Sequence, residues 1–223
     1  RSTLFPYTTL FRSTNLFFVI RSRGENAPQK TDLLKTLKPM TWTSLTNSGK
    51  AWETEYAVRG GDYTFCLVPE PYYEPEEEGY IKQSTKVIVN VGGEPGAWME
   101  PVGMDTEIVP LAKPYDRWTG NVFQGKVLLN GKPVPGAEIE IEYLNHEPLL
   151  DKKAFAAKAE VKAPQSAFAL QTIFADDNGV FTFGIPRAGW WGFAALDLDP
   201  EYKYKGKKCS RDAVMWIKAV DMK

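Results

Sequence analysis

The run Glu138-Ile139-Glu140-Ile141-Glu142-Tyr143 alternates carboxylates with apolar groups. Successive side chains of a β-strand point to opposite faces, so this spelling suits a half-buried strand, with its glutamates toward water. A helix would scatter the same residues around its circumference. Similar short runs, alternating or β-branched, occur throughout: Asn15–Ile20, Ala51–Val58, Asp62–Val68, Tyr80–Val91, Phe123–Leu129, Leu170–Ala175, Val180–Phe183, Trp191–Leu196 and Ala213–Val220. Asn130-Gly131 and Asp177-Asn178-Gly179 punctuate them as tight turns. Only Lys30–Leu37, stopped by Pro39, reads as a short helical or turn-like segment, and the Ala- and Lys-rich stretch Leu149–Ala163 as an insertion carrying a short helix. The expected fold is therefore all-β, as two immunoglobulin-like antiparallel β-sandwich domains.

An internal match supports two related halves. Arg59-Gly60-Gly61-Asp62-Tyr63-Thr64-Phe65 aligns with Arg187-Ala188-Gly189-Trp190-Trp191-Gly192-Phe193, repeating Arg, Gly, an aromatic and Phe at equal offsets. A glycine at a sharp corner, followed by an aromatic, is one way a sandwich strand enters its core. The expected boundary lies in the Gly- and Pro-rich stretch 92–103. It gives an N-terminal sandwich over 14–103 and a C-terminal sandwich over 104–223, with an insertion near 147–167. Residues 1–13 are set aside, because Thr3–Ser13 resemble the translation of a sequencing-adapter oligonucleotide. The native start, with any export signal, is expected to have been replaced there.

Composition narrows the function. With 43% hydrophobic and 25% charged residues the chain can fill a core and solvate its surface. A net charge of -1 gives no general attraction to nucleic acid, and no apolar run is long enough for a membrane-spanning helix. The single histidine, His146, makes any multi-histidine metal site or nucleophile–histidine pairing hard to build, so no enzymatic activity is expected. Cys66 and Cys209 leave open either one long-range bridge or two separate thiols; their positions in different expected domains favour separate thiols.

Two stretches offer binding chemistry. The loop Pro69–Gly79 carries five carboxylates between three prolines, and Glu74 and Glu77 are its candidate ligands for a hard cation. Tyr72 and Tyr73 on that loop, with Trp190 and Trp191, form the candidate binding surface; the adjacent tryptophans of a strand must face opposite ways. The ordinary reading is a solvated acidic loop and a pair of packing aromatics.

Several landmarks resemble one bacterial family. They are Gly61–Phe65 (GDYTF), Pro71–Pro75 (PYYEP), Thr106–Leu111 (TEIVPL), Gly120–Gly125 (GNVFQG), Asn130–Ala137 (NGKPVPGA) and Ala188–Ala195 (AGWWGFAA). In this order they are similar to the domain-of-unknown-function proteins described as periplasmic components of cobalt/nickel transport systems. The resemblance implies a periplasmic, non-catalytic binding or accessory protein for nickel or cobalt uptake. A permease or an outer-membrane receptor would be its partner. It also implies that Ni²⁺ or Co²⁺ would be held through histidines of a missing N-terminal segment, so this chain itself is expected to bind those ions weakly. The alternatives are a structural or adhesive module binding protein or glycan, and, third, a carbohydrate-active hydrolase.

Overall fold

A computed structural model describes residues 14–222 of the chain; residues 1–13, set aside above, lie outside them. The first half contains β1 (Thr14–Arg23), β2 (Asn26–Asp32), β3 (Lys38–Thr43), β4 (Ser48–Glu53), β5 (Gly61–Pro69), β6 (Tyr72–Glu74) and β7 (Gly79–Val91). The second adds β8 (Thr106–Pro110), β9 (Arg117–Trp118), β10 (Val122–Leu129), β11 (Lys132–Pro133), β12 (Glu138–Tyr143) and β13 (His146–Leu149). It continues through β14 (Ala154–Ala159), β15 (Leu170–Phe174), β16 (Val180–Gly184), β17 (Gly189–Ala195), β18 (Lys203–Tyr204) and β19 (Lys207–Val220). The chain is all-β: among the described residues helix is limited to short 3-10 turns, such as Leu34–Thr36 and Leu150–Lys152.

The central feature is one large sheet in the order β15-β12-β17-β19-β7-β5-β1-β2. Along this order the neighbours are antiparallel except β19 and β7, which run parallel from Cys209 opposite Tyr80 to Trp216 opposite Val87; off it, the short β9 also pairs parallel with the end of β19. The expected boundary at 103 lies between β7 and β8, and this parallel pairing carries the sheet across it. Strands from both halves of the chain thus share one ladder.

Pairing fixes the faces, because directly opposed residues point the same way. One row reads Gln171, Ile141, Phe193, Met215, Lys86, Cys66, Phe18, Asp32. The next row, on the opposite face, reads Leu170, Glu142, Gly192, Trp216, Val87, Phe65, Val19, Thr31. On the first face a second sheet, in which β10 pairs with β8, β11 and β16, closes a core around Phe123, Phe181, Phe193, Met215 and Ile217. Each such fully buried side chain contributes about 2–3 kcal/mol. Farther along that face Phe18, Cys66 and Val68 pack against Met104. On the opposite face Val19 and Tyr63 pack under Leu33 and Tyr56, while Ala194, Val214 and Trp216 gather with Leu144 and Trp190.

The repeated element adopts matching geometry. Gly61 has φ 128° and Gly189 has φ 129°, each opening its strand in backbone space that disfavours a Cβ. Two residues on, each aromatic bonds back to its own arginine: the Arg59 N–H donates to Tyr63 Oη at 2.7 Å, and Trp191 Nε1 donates to the Arg187 carbonyl at 3.0 Å. Tyr63 lies opposite Val89 and Trp191 opposite Ile217, so the two rings enter cores on opposite faces of the shared sheet.

Three local expectations are corrected. Lys30–Leu37 is turn-like only in its second half: Lys30 and Thr31 pair with Ile20 and Val19, and the helical part is confined to the 3-10 turn Leu34–Thr36, whose Leu34 N–H bonds to Asp32 Oδ1. The insertion near 147–167 is built on the hairpin β13–β14, and the short helix expected between Leu149 and Ala163 is reduced to the 3-10 turn Leu150–Lys152. Its tip turns at Lys153, in the left-handed region at φ 50°, and Ala154 pairs with Thr43 of β3. The strand expected over Ala51–Val58 ends at Glu53, because Tyr56 leaves the ladder to cover Tyr63 and Phe65.

Candidate functional site

The parallel seam between β7 and β19 builds a cleft. Asp212 lies opposite Gln83 and Ser210 opposite Ile81, and these four residues line it together with Glu77, Glu140, Asp197 and Lys208. Its volume is about 150 Å³. Asp212 shares a face with Val214 and Trp216, two and four residues farther along β19. Glu140 reaches the same face through Ala194, which pairs with both Glu140 and Val214.

Asp212 is buried and well anchored. Ser210 Oγ donates to Asp212 Oδ1 at 2.5 Å, the Asp197 N–H donates to the same oxygen at 3.0 Å, and Gln83 Nε2 reaches Oδ2 at 3.4 Å. Burial dominates these bonds and raises the carboxyl to about 6. Asp197 holds a left-handed backbone at φ 47°, which aims its N–H at Asp212 while its Oδ2 meets Lys208 Nζ at 2.6 Å. Its Oδ1 is buried without a hydrogen-bond partner. Four carboxyl groups therefore line the cleft together with Lys208, which meets Asp197 and is largely exposed.

Of the residues selected from the sequence, one lines the cleft and the others lie outside its lining. Glu77 lines the cleft; Glu74 ends β6 and accepts from the Glu76 N–H at 3.3 Å instead. Tyr72 is half-buried, and burial, then the charges of Asp212, Glu74 and Glu77, push its hydroxyl well above the ordinary range. Tyr73 stacks edge-on against Tyr80 at 5.3 Å and accepts from Lys207 Nζ at 3.0 Å. Tyr80 lines the cleft and meets Tyr204 at 5.0 Å, so Tyr73, Tyr80 and Tyr204 form a continuous row of rings. Trp190 and Trp191 do diverge, but Trp191 is core and offers no surface. Trp190 is half-buried beside Val214 and Trp216, with Lys218 Nζ 5.7 Å from its ring. His146 Nδ1 is 2.8 Å from the Ala156 carbonyl across the β13–β14 hairpin.

Asp212, Asp197 and Glu140 escaped the sequence reading. The signal for Glu140 was present but inverted: alternation assigned it to water, whereas it is 6% exposed. No group of three or more His, Cys, Asp or Glu among the described residues is arranged to hold a metal ion. No helix among them is long and apolar enough to cross a membrane.

The family model for Domain of unknown function (DUF4198) matches residues 5–199 of the chain. The chain belongs to this family. The match spans the acidic loop, both repeated arginine–glycine elements and the whole of β12. As a DUF4198 protein it contributes Glu77, Glu140 and Asp197 to the cleft from within the matched region, and Lys208, Ser210 and Asp212 from beyond it. No curated protein matches the chain.

Proposed function

We propose that this DUF4198 protein is a non-catalytic periplasmic accessory of nickel or cobalt uptake, working beside a permease or outer-membrane receptor, and that the Asp212 cleft receives a cationic ligand. The observation that supports the cleft assignment is that Asp212, Glu140, Asp197 and Glu77 all line it, with Lys208 meeting Asp197. The uptake role rests on the family landmarks in the sequence. Carboxylate oxygens hold Ni²⁺ or Co²⁺ less tightly than imidazole or thiolate, which suits loose, reversible contact with a cargo passed onward. Calorimetric titration of Ni²⁺ and Co²⁺ into the chain and into Asp212→Asn tests this. Weak binding that strengthens as pH rises through about 6, and that the variant loses, is expected from the raised Asp212 carboxyl. Binding unchanged in the variant, or no binding above pH 6, would reject the cleft as the site.

The same carboxylates favour a second reading, a carbohydrate-active hydrolase. A protonatable Asp212 in the same cleft as Glu140 has the outline of a glycosidase acid and its partner. Size argues against it: about 150 Å³ is below the roughly 300 Å³ at which small-molecule sites begin. Turnover of nitrophenyl glycosides that disappears in Asp212→Asn would decide for the hydrolase.

A further inference from the structure

The two ends of the large sheet are finished differently. At one end β2, Asn26–Asp32, is exposed along its length and carries Pro28, Lys30 and Asp32. Proline and charge are the devices by which an edge strand resists pairing with another chain. At the other end β15 reads Leu170-Gln171-Thr172-Ile173-Phe174, with neither proline nor charge. Among the described residues it pairs with β12 alone. Phe174 at its end is 67% exposed, and Phe168 in the preceding turn is 60% exposed.

We propose that β15 pairs antiparallel with β15 of a second copy, joining two large sheets into one across a two-fold axis at Thr172. In this register Thr172 faces Thr172 of the other copy, and Leu170 faces its Phe174. Leu170, Thr172 and Phe174 point to one face, since they oppose Glu142, Glu140 and Glu138 of β12. The dimer therefore places one aliphatic–aromatic pair on each side of a threonine pair, a favourable cross-strand combination. Self-pairing brings no like charges together and gives the self-complementary contact that two-fold symmetry requires. A second copy fits this edge because the Leu170–Thr172–Phe174 face matches its own reverse, apolar at both ends and polar at the centre, while on the other face Gln171 meets Ile173 of the second copy.

The test is the solution mass of the full chain by light scattering. Wild type should elute at twice its 25.1 kDa chain mass. Thr172→Lys and Thr172→Glu should each be monomeric, because the axis sets like charges face to face, and mixing them should restore the dimer. A monomeric wild type, or a dimer that persists in both variants, overturns the proposal. Thr172→Cys gives a readout that needs no new charge. Directly opposed strand residues have Cα atoms about 4.5–5.5 Å apart, within disulfide reach, so oxidation should crosslink two copies. Failure to crosslink under oxidising conditions would equally overturn it.

Discussion

Lys86 Nζ lies 2.6 Å from Glu107 Oε1, with both side chains sealed from water. The pair stands where the two halves of the chain meet. Lys86 is on β7 at the parallel seam, opposite Met215, and Glu107 is on β8, which opens the second half. Glu107 also accepts from the backbone N–H groups of Val102 and Gly103, so one carboxylate ties the connecting segment to the sheet. Burial lowers the affinity of Lys86 for its proton, and Glu107 opposes that effect.

Removing one partner leaves a buried charge with no counter-charge. Lys86→Met alone, or Glu107→Leu alone, should cost about 3–5 kcal/mol in urea denaturation. The double variant should recover much of that loss, because the desolvation cost of both charges disappears together. Equal losses in single and double variants would mean that packing, not charge, governs this site.

Asp212 makes stability depend on pH in an unusual direction for a carboxylate. Its folded-state value, about 6, lies above the ordinary aspartate value of 3.8. The folded chain thus binds the proton more tightly than the unfolded chain between those limits. The resulting stability is fully present below about 3.8 and is lost as pH rises through about 6. Asp212→Asn should flatten this slope between pH 4 and pH 6 in thermal melts. A wild-type stability that climbs through that interval as steeply as in the variant would contradict the assignment.

Much of the local structure was readable, and the misses share a cause. Alternation located β12, and the adjacent tryptophans separated onto two faces as strand geometry demands. The solvated side of β12 was misjudged, because alternation reports two faces without reporting what covers them. Glu140 is buried on a face that Leu196 and Asp212 also line. Asp212 itself carries no local mark. It enters the cleft because β19 pairs in parallel with β7, bringing it to Gln83 from 129 positions away. Hairpin contacts announce themselves through turn residues; a parallel pairing between distant strands has no such signature. The acidic loop was conspicuous for the opposite reason, a dense local run of carboxylates, yet only Glu77 of its two selected glutamates lines the cleft.

Both thiols should be inert in the folded protein. Burial pushes Cys66 up to about 12 and Cys209 up to about 11, so little thiolate exists near neutral pH. They are also far apart. Cys66 lies opposite Lys86 and Cys209 opposite Tyr80, on the two sides of β7 and separated by roughly 20 Å along it. A disulfide needs Cα atoms within about 7 Å. Native protein at pH 8 should react with a chromogenic disulfide reagent only at its unfolding rate, and oxidised protein should show no Cys66–Cys209 peptide by mass spectrometry.

The matched glycines give a comparison inside one molecule. Gly61 and Gly189 share φ near 128°, so the backbone strain of adding a Cβ should be alike at the two sites. Their surroundings differ. A Cβ on Gly61 would lie 2.6 Å from the Ser22 carbonyl oxygen, a backbone atom held in the β1–β5 ladder. On Gly189 it would lie 2.5 Å from the Tyr143 ring, a side chain that can swing. That ring is nevertheless engaged: it rests 5.0 Å from Trp191, and its hydroxyl donates to the Ala188 carbonyl at 3.1 Å. Gly61→Ala and Gly189→Ala should each lose at least about 1–3 kcal/mol from strain. Gly61→Ala should lose more, because its clash is with fixed backbone. Adding Tyr143→Ala to Gly189→Ala should relieve part of the second loss, giving a double variant more stable than the sum of the singles. Strict additivity in denaturant titration would show that backbone strain alone sets the cost at Gly189.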